Sequence, residues 1–110
     1  MEELMKGDVV VLPFPFSDLS ASKKRPALVS ATLEGDDVIL CQITSVARND
    51  SCSVSLKNVD FKQGRLNVDS VIRPNRLFTA DKSIVLYKAG SLKISKIKEV
   101  EKMIVKIFTQ

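Results

Sequence analysis

Two short apolar runs separated by a turn constrain the fold of this chain more than any other feature. The first run covers residues 25–30 and the second covers residues 38–45. Between them lie residues 34–37, whose glycine and acidic side chains are typical of a turn. Short runs rich in β-branched residues around such a turn predict a β-hairpin that is buried on at least one side.

The predicted hairpin brings an arginine and a threonine together. Arg25 begins the first run and Thr44 lies near the end of the second. Because the open ends of an antiparallel hairpin lie side by side, the two residues should be neighbours at one end of the sheet. A fixed cation beside a hydroxyl group suits a phosphate group. The sequence therefore predicts an anion site at this end of the hairpin.

The rest of the chain predicts further short strands. Apolar or alternating runs indicate strands at residues 9–12, 52–56, 66–73 and 84–87, with a turn at residues 60–64. Pro13 should end the first strand or place it at a sheet edge, and Pro74 should stop the strand before it. Residues 75–82 are predicted to be irregular. Residues 17–24 predict a surface loop that carries Lys23 and Lys24 to the start of the hairpin.

One helix is predicted at the C-terminus, with Ser95 as its N-cap. The apolar stripe of this helix comprises Ile97, Val100, Met103 or Ile104, and Ile107. The lysines of the helix lie off this stripe and are predicted to face solvent. Together with the strands, this helix predicts one domain over residues 1–110. The fold class is mainly β (β+α), a small barrel-like sheet of short strands with the helix packed on it.

Composition narrows the possible functions. The chain has no histidine and two cysteines, so neither a metal site nor a bound cofactor is expected. The absence of an apolar run near 20 residues and of a signal peptide predicts a cytoplasmic protein without a membrane span. A net charge of +4 favours an anionic partner. With five Phe, one Tyr and no Trp, platforms for stacking bases are few.

Five motifs, taken in order, carry a resemblance to a known family. They are Lys-Gly-Asp-Val-Val at residues 6–10, Pro-Phe-Pro-Phe at 13–16, Arg-Pro-Ala-Leu-Val at 25–29, Ile-Thr-Ser at 43–45, and Arg-Pro-Asn-Arg-Leu-Phe-Thr-Ala-Asp-Lys at 73–82. In these motifs and in its length, the chain resembles the MazF/PemK (Kid) family of toxin endoribonucleases.

The resemblance implies an SH3-like barrel of antiparallel strands with a C-terminal helix, and a homodimer. It also implies metal-independent cleavage of single-stranded RNA through the 2′-hydroxyl, and inhibition by a cognate acidic antitoxin. Arg25 and Thr44 match the central catalytic pair of the family. Arg73 matches a further catalytic arginine that some members use. The residues expected to bind substrate are Lys23, Lys24, Ser45, Asn75 and Arg76.

Asn75 departs from the family pattern, because it stands where some members have an acidic residue. An amide cannot act as a general base at neutral pH, so the group that takes the proton stays open. One alternative is therefore a catalytically impaired relative with an RNA-binding or regulatory role. Another is a gyrase-binding toxin of the CcdB type, which shares the fold. Toxins of that type use a tryptophan near the C-terminus, and this chain has none.

Overall fold

The structure is a computed structural model that describes residues 3–14, 23–46 and 50–110. Turns of 3-10 helix lie at Asn58–Asp60 and Lys82–Ile84. Seven strands and one helix make up the fold: β1 (Asp8–Phe14), β2 (Lys23–Thr32), β3 (Asp37–Thr44), β4 (Val54–Leu56), β5 (Phe61–Gly64), β6 (Ser70–Asp81), β7 (Tyr87–Leu92) and α1 (Ile94–Thr109). The predicted fold class, a mainly β barrel-like sheet with a C-terminal helix, is confirmed.

The order of the strands forces the sheet to curl. They pair antiparallel in the order β4-β6-β3-β2-β1-β7-β5, so β4 and β5 form opposite edges. Only residues 57–60 connect these edges, and such a connection spans at most about 18 Å. Seven flat strands spaced about 4.8 Å apart would hold the edges about 29 Å apart. The sheet therefore closes into a curled half-barrel.

Both faces of the sheet are buried. Side chains alternate between the faces along each strand. One face carries the first core cluster, which includes Val10, Leu12, Ala27, Val29 and Leu40 and is covered by Leu4 and Val85. The other face carries the helix-side cluster, which includes Val9, Leu28, Cys41, Ile43 and Ile72.

Helix α1 packs on the helix-side cluster through the predicted stripe. Val100 is buried there, and Ile97, Met103 and Ile104 pack against it. The helix begins two residues earlier than predicted, so its N-cap is Lys93 and not Ser95. Lys93 is extended, and its N–H donates to the carbonyl oxygen of Asp60, which fixes the passage from β7 into the helix.

The prediction that the helix lysines face solvent is wrong for Lys96. This side chain is 8% exposed, and its Nζ donates to the carbonyl oxygen of Ser55 at 2.9 Å. It also forms ion pairs with Glu99 at 2.9 Å and Asp60 at 3.7 Å. Lys96 is buried because the curled sheet brings the end of β4 and the following turn against the start of α1.

Pro74 does not stop a strand, because β6 continues through it to Asp81. Opposite Cys41 and Gln42 of β3 stand Leu77 and Arg73, so residues 74–76 form an extra loop in β6. We call residues 74–76 the β6 bulge. A bulge accommodates a proline because the residue there need not donate a ladder hydrogen bond.

Three other strand predictions need correction. Residues 60–64 are largely strand β5 and not a turn, and β6 begins at Ser70, later than predicted. The last strand runs over Tyr87–Leu92 rather than residues 84–87, and it contains Gly90. Gly90 pairs with Gly64, and a Cβ on either residue would collide with the opposite backbone. Glycine is therefore needed for the close approach of β5 and β7.

At Pro13, β1 pairs with a neighbouring strand on one side only. This local edge is one of the two predicted alternatives. The pairing of β1 with β7 ends at Val11, whereas its pairing with β2 continues to Phe14. The predicted loop at residues 17–24 lies mostly outside the described residues. Lys23 and Lys24 belong to β2.

Candidate functional site

The predicted hairpin is formed by β2 and β3, and it places Arg25 beside Thr44. The register pairs Ala27 with Gln42 and Leu28 with Cys41. Extending it by two residues puts Arg25 opposite Thr44, and both residues line one cavity at the strand ends. The prediction that these two residues are neighbours is confirmed.

Strand β6 adds Arg73 to the same face of the sheet. Arg25 and Thr44 alternate in phase with Ala27 and Leu40 of the first core cluster. Arg73 pairs with Gln42, two residues before Thr44, so it shares this face. Directly opposite side chains have Cβ atoms about 5 Å apart, and diagonal neighbours are within about 8 Å. Arg25, Thr44 and Arg73 therefore form one group, which we call the arginine face.

Arg73 is a buried cation with incomplete partners. Its residue is 8% exposed, and its Nη2 lies 3.9 Å from Asp50 Oδ2. Its Nε is buried and has no hydrogen-bond partner among the residues that the structure describes. A buried donor without a partner costs about 1–3 kcal/mol. An anion bound on the arginine face would supply the missing acceptor.

Thr44 and Arg25 differ from Arg73 in their surroundings. Thr44 is buried, and its Oγ1 accepts a hydrogen bond from the backbone N–H of Val46 at 3.2 Å. The hydroxyl proton of Thr44 is thus still available for a further acceptor. Arg25 is half-buried at the mouth of the cavity. The group combines two guanidinium groups with one hydroxyl donor.

Asp50 is a site residue that the sequence interpretation missed. Its Oδ1 accepts from the backbone N–H groups of Cys52 and Ser53 and from Ser53 Oγ, at 3.0, 2.8 and 2.8 Å. These hydrogen bonds from Ser53, with the charge of Arg73 adding to them, lower the pKa of the Asp50 carboxyl below its usual value. The sequence Asp-Ser-Cys-Ser is the available signal, since an aspartate that starts a polar turn binds the following N–H groups.

An open cavity of about 300 Å³ lies at the ends of the strands, and it is lined by Arg25 and Thr44 of the arginine face but not by Arg73. Of the predicted site residues, four line it: Lys24, Arg25, Thr44 and Ser45. The other lining residues, none of which was predicted as a site residue, are Val11, Pro26, Ile43, Leu66, Asn67, Val68, Ser70 and Tyr87. No acidic side chain is among the described residues that line the cavity.

The remaining predicted substrate-binding residues lie away from the cavity. Lys23 is exposed and pairs with Phe14 on β1. Asn75 and Arg76 are exposed on the β6 bulge, directly after Arg73. The substrate-binding roles of all three stay predictions. Asp81, five residues beyond the bulge, caps the turn that follows it by accepting from the N–H of Ser83.

The structure offers few other reactive groups. Within residues 3–14, 23–46 and 50–110, no cluster of three or more His, Cys, Asp or Glu side chains could hold a metal ion. Burial raises the pKa of the Cys41 thiol to about 11, so this core cysteine stays protonated and is not a nucleophile at neutral pH. No helix in the described part of the chain has the length and apolarity to cross a membrane.

Comparisons with known proteins identify the family and the fold of this chain. A family model described as PemK-like, MazF-like toxin of type II toxin–antitoxin system matches residues 5–108. No curated protein matches the sequence.

Among solved structures, the fold is similar to an endoribonuclease in complex with its cognate antitoxin from a Mycobacterial species. That match has a TM-score of 0.77 and 12% identity, and it covers 96% of this chain and 95% of the other. The Mycobacterium tuberculosis toxin MazF-mt6 matches with a TM-score of 0.73, 19% identity and coverage of 92% and 95%. A MazE-MazF structure from Deinococcus radiodurans matches with a TM-score of 0.71, 17% identity and coverage of 100% and 99%. At these identities the solved structures establish the fold.

Proposed function

This chain belongs to the family of PemK-like, MazF-like toxins of type II toxin–antitoxin systems, and from that membership we propose that it is an endoribonuclease that cleaves single-stranded RNA. The observation that carries the proposal is the arginine face. It combines two guanidinium groups with the hydroxyl of Thr44, and one guanidinium nitrogen is buried without a partner among the described residues. This is the chemistry of a phosphate site.

The proposed reaction uses a nucleophile that RNA itself carries. The 2′-oxygen attacks the adjacent phosphorus, a P–O2′ bond forms, and the P–O5′ bond breaks. The products are a 2′,3′-cyclic phosphate and a 5′-hydroxyl. A base takes the 2′-hydroxyl proton, and a proton reaches the departing O5′. The enzyme must therefore bind the phosphate, stabilise the charge that builds on it and handle two protons.

Arg25 is assigned to the phosphate oxygens, where its planar fork stabilises the transition state. Arg73 supplies the second positive charge from β6, and the reaction as proposed needs no metal ion. Thr44 donates its hydroxyl to a phosphate oxygen or to the leaving group. Since an arginine pKa lies above about 12, neither guanidinium is assigned a proton transfer.

A second function, RNA binding without cleavage, is favoured by Asn75. The side chain there is an exposed amide on the β6 bulge and cannot accept the 2′-proton at neutral pH. Asp50 is a carboxylate beside Arg73, and its lowered pKa makes it a weak base. The cleavage assay below separates the two functions.

We also propose the partners and the location that the family membership supports. A net charge of +4 suits an acidic antitoxin that neutralises the toxin, and homodimerisation and a cytoplasmic location complete the proposal. Two of the similar structures are, by their descriptions, an endoribonuclease with its cognate antitoxin and a MazE-MazF pair. Light scattering of the purified protein tests the dimer, and co-purification with the product of a neighbouring acidic reading frame tests the antitoxin.

The proposed activity is tested with a mixed-sequence single-stranded RNA and its DNA counterpart, both in excess EDTA. We expect the RNA to be cut and the DNA, which lacks the 2′-hydroxyl, to stay intact. Arg25→Ala should slow cleavage by about 10²–10³-fold. Lys102→Ala is the matched control, because it removes one positive charge from an exposed position on α1. RNA that is bound and left uncut by the unmodified protein would favour the second function.

A further inference from the structure

An open groove continues the cavity beside the arginine face and runs along β7. A second cavity of about 400 Å³ shares Val11, Leu66, Asn67 and Tyr87 with the first. The shared residues make the two cavities one continuous groove, which we call the Tyr87 groove. It starts at Arg25 and Thr44 and extends to Arg65 and Lys88.

The middle of the Tyr87 groove has the chemistry of a base-binding site. Tyr87 is 54% exposed, although it carries the largest side chain among the groove residues. Val11 is buried beneath the groove and is paired with Tyr87 between β1 and β7, and Leu66 is half-buried. Asn67 is exposed nearby and offers both a donor and an acceptor. An aromatic ring beside an amide matches a planar base with polar edges.

Positive charge lies at both ends of the groove. Lys24 and Arg25 line the end nearest the arginine face, and Arg65 and Lys88 line the far end. Lys88 Nζ lies 3.5 Å from Asp8 Oδ1, whereas Arg65 is exposed. Each nucleotide of a strand is flanked by two phosphates. Cations therefore line the groove on both sides of the aromatic ring, as the two phosphates of one nucleotide require.

We infer that Tyr87 is the stacking platform for the base of a nucleotide that adjoins the scissile phosphate, and that Asn67 contacts the edge of this base. The inference rests on the proposed function for the position of the scissile phosphate. It assigns to the RNA a subsite in which the base is held by stacking and its two phosphates by the cations at the groove ends. Stacking tolerates every base, so Tyr87 contributes affinity and Asn67 contributes discrimination.

The composition of the chain provides a specific probe of this subsite. Tyr87 is the only tyrosine and the chain has no tryptophan, so its intrinsic tyrosine fluorescence reports this one ring. The ligand is a mixed-sequence 2′-O-methyl RNA, which keeps bases and phosphates but cannot supply the nucleophile. An abasic 2′-O-methyl strand of equal length is the matched ligand. We expect the first strand to quench Tyr87 fluorescence and the abasic strand to leave it unchanged.

Variants separate stacking from a structural role. By anisotropy of labelled strands, Tyr87→Ala should weaken binding of the base-bearing strand about 5- to 150-fold and leave binding of the abasic strand unchanged. Tyr87→Phe keeps the ring and should retain near-normal affinity. Leu86→Ala is the control, since it removes the neighbouring exposed apolar side chain. An equal loss for both strands, or no loss for either, would overturn the inference.

The outcomes distinguish this inference from the proposed function. Quenching by the base-bearing strand in a protein that cuts no RNA would support the subsite and contradict the nuclease. Cleavage of RNA without quenching, and with Tyr87→Ala as active as the unmodified protein, would overturn the subsite and leave the nuclease standing. If the Tyr87 emission per molecule changes with protein concentration in the absence of RNA, the ring contacts a second copy of the chain, and the inference is overturned.

Discussion

Two buried cations in this protein, Lys96 and Arg73, have opposite surroundings. Each residue is 8% exposed, so both have been removed from water to the same extent. Lys96 meets three oxygen atoms, whereas Arg73 meets one distant carboxylate and keeps a buried Nε without a partner among the described residues. Burial alone therefore does not reveal the role of a charge, but the completeness of its partners does.

Lys96 closes the curled sheet. Its three oxygen partners come from β4, from the turn after it, and from α1 itself: Ser55, Asp60 and Glu99. These are the elements that must meet when the two sheet edges are joined by residues 57–60. A buried cation with such partners is a fastening between elements.

Arg73 has no comparable set of oxygen partners among the described residues. Asp50 Oδ2 lies 3.9 Å from its Nη2, and the other carboxylate oxygen of Asp50 accepts hydrogen bonds from Cys52 and Ser53. The free protein therefore carries an incompletely paired guanidinium group on the arginine face. This arrangement costs stability and keeps a donor available for an incoming anion. Under the proposed function, the comparison separates a cation that serves the fold from one that would bind a ligand, and the predictions below test that separation.

The largest effect is expected from Arg73→Ala. Removing a preorganised donor to the transition state should lower kcat/KM for RNA cleavage by about 10²–10³-fold. The free energy of unfolding in urea should fall by less than it does for Lys96→Met, because removing an unpaired buried donor offsets part of the packing lost with the side chain. Arg76→Ala, on the exposed β6 bulge, is the matched control and should cost less than tenfold in kcat/KM. Equal losses in the two variants would show that only general positive charge matters.

A smaller loss is expected when the hydroxyl on the arginine face is removed. Thr44→Val keeps the shape of the side chain but cannot donate to a phosphate oxygen. A hydrogen bond to a charged group is worth about 1.5–3 kcal/mol, so kcat/KM should fall about 10- to 150-fold. Thr44→Ser retains the hydroxyl and should recover most of the rate. A Ser variant as slow as the Val variant would assign Thr44 to packing.

Lys96→Met should show the reverse pattern. It removes a buried cation from three partners, so the free energy of unfolding should fall by about 1–3 kcal/mol. The kcat/KM of the folded protein should be unchanged well below the melting temperature. Lys98→Met, at an exposed position on the same helix, should change stability by less than about 0.5 kcal/mol. A loss of activity in folded Lys96→Met protein would contradict the assignment of Lys96 to the fold.

The two regions also differ in how far the sequence predicted them. The β2–β3 hairpin is local, and its turn and apolar runs were sufficient to place Arg25 beside Thr44. Ser55, which lies 41 residues before Lys96 in the chain, and Asp60 meet Lys96 only because the sheet curls. No local pattern distinguishes Lys96 from the exposed lysines that follow it on the helix.

Arg73 shows a second reason for incomplete prediction. Its motif was recognised, but Pro74 was interpreted as the end of a strand. In the structure the β6 bulge absorbs the proline and the ladder resumes at Leu77. The pairing that places Arg73 on the arginine face, and its orphaned Nε, depend on that register. Tyr87 was not predicted as a site residue for a similar reason. Its place in the groove depends on the pairing of β7 with β1 and on the position of residues 66 and 67.

The smallest expected effect concerns Asp50, and it tests whether the 3.9 Å approach to Arg73 is an interaction. Hydrogen bonds from Ser53 and the charge of Arg73 lower the pKa of Asp50 below its ordinary value of 3.8. A carboxyl whose pKa is lowered by folding stabilises the protein above that ordinary value and loses this contribution as the pH falls through the lower one. Asp50→Asn keeps an acceptor for the turn and removes the charge. The melting temperature of the variant should therefore fall below that of the unmodified protein above about pH 5, and the two should converge at lower pH.

A double-mutant comparison then isolates the share of Arg73 in this effect. In the Arg73→Ala background, Asp50→Asn should lower the melting temperature by less than it does in the unmodified protein, because the attraction is already absent. Asp81→Asn is the control, since hydrogen bonds from Ser83 lower the pKa of Asp81 and it lies beside Lys82. Its effect should be the same in both backgrounds. If the effect of Asp50→Asn on the melting temperature is also the same in both backgrounds, Asp50 and Arg73 do not interact. Arg73 then has no effective partner among the described residues, in contrast to Lys96 with its three.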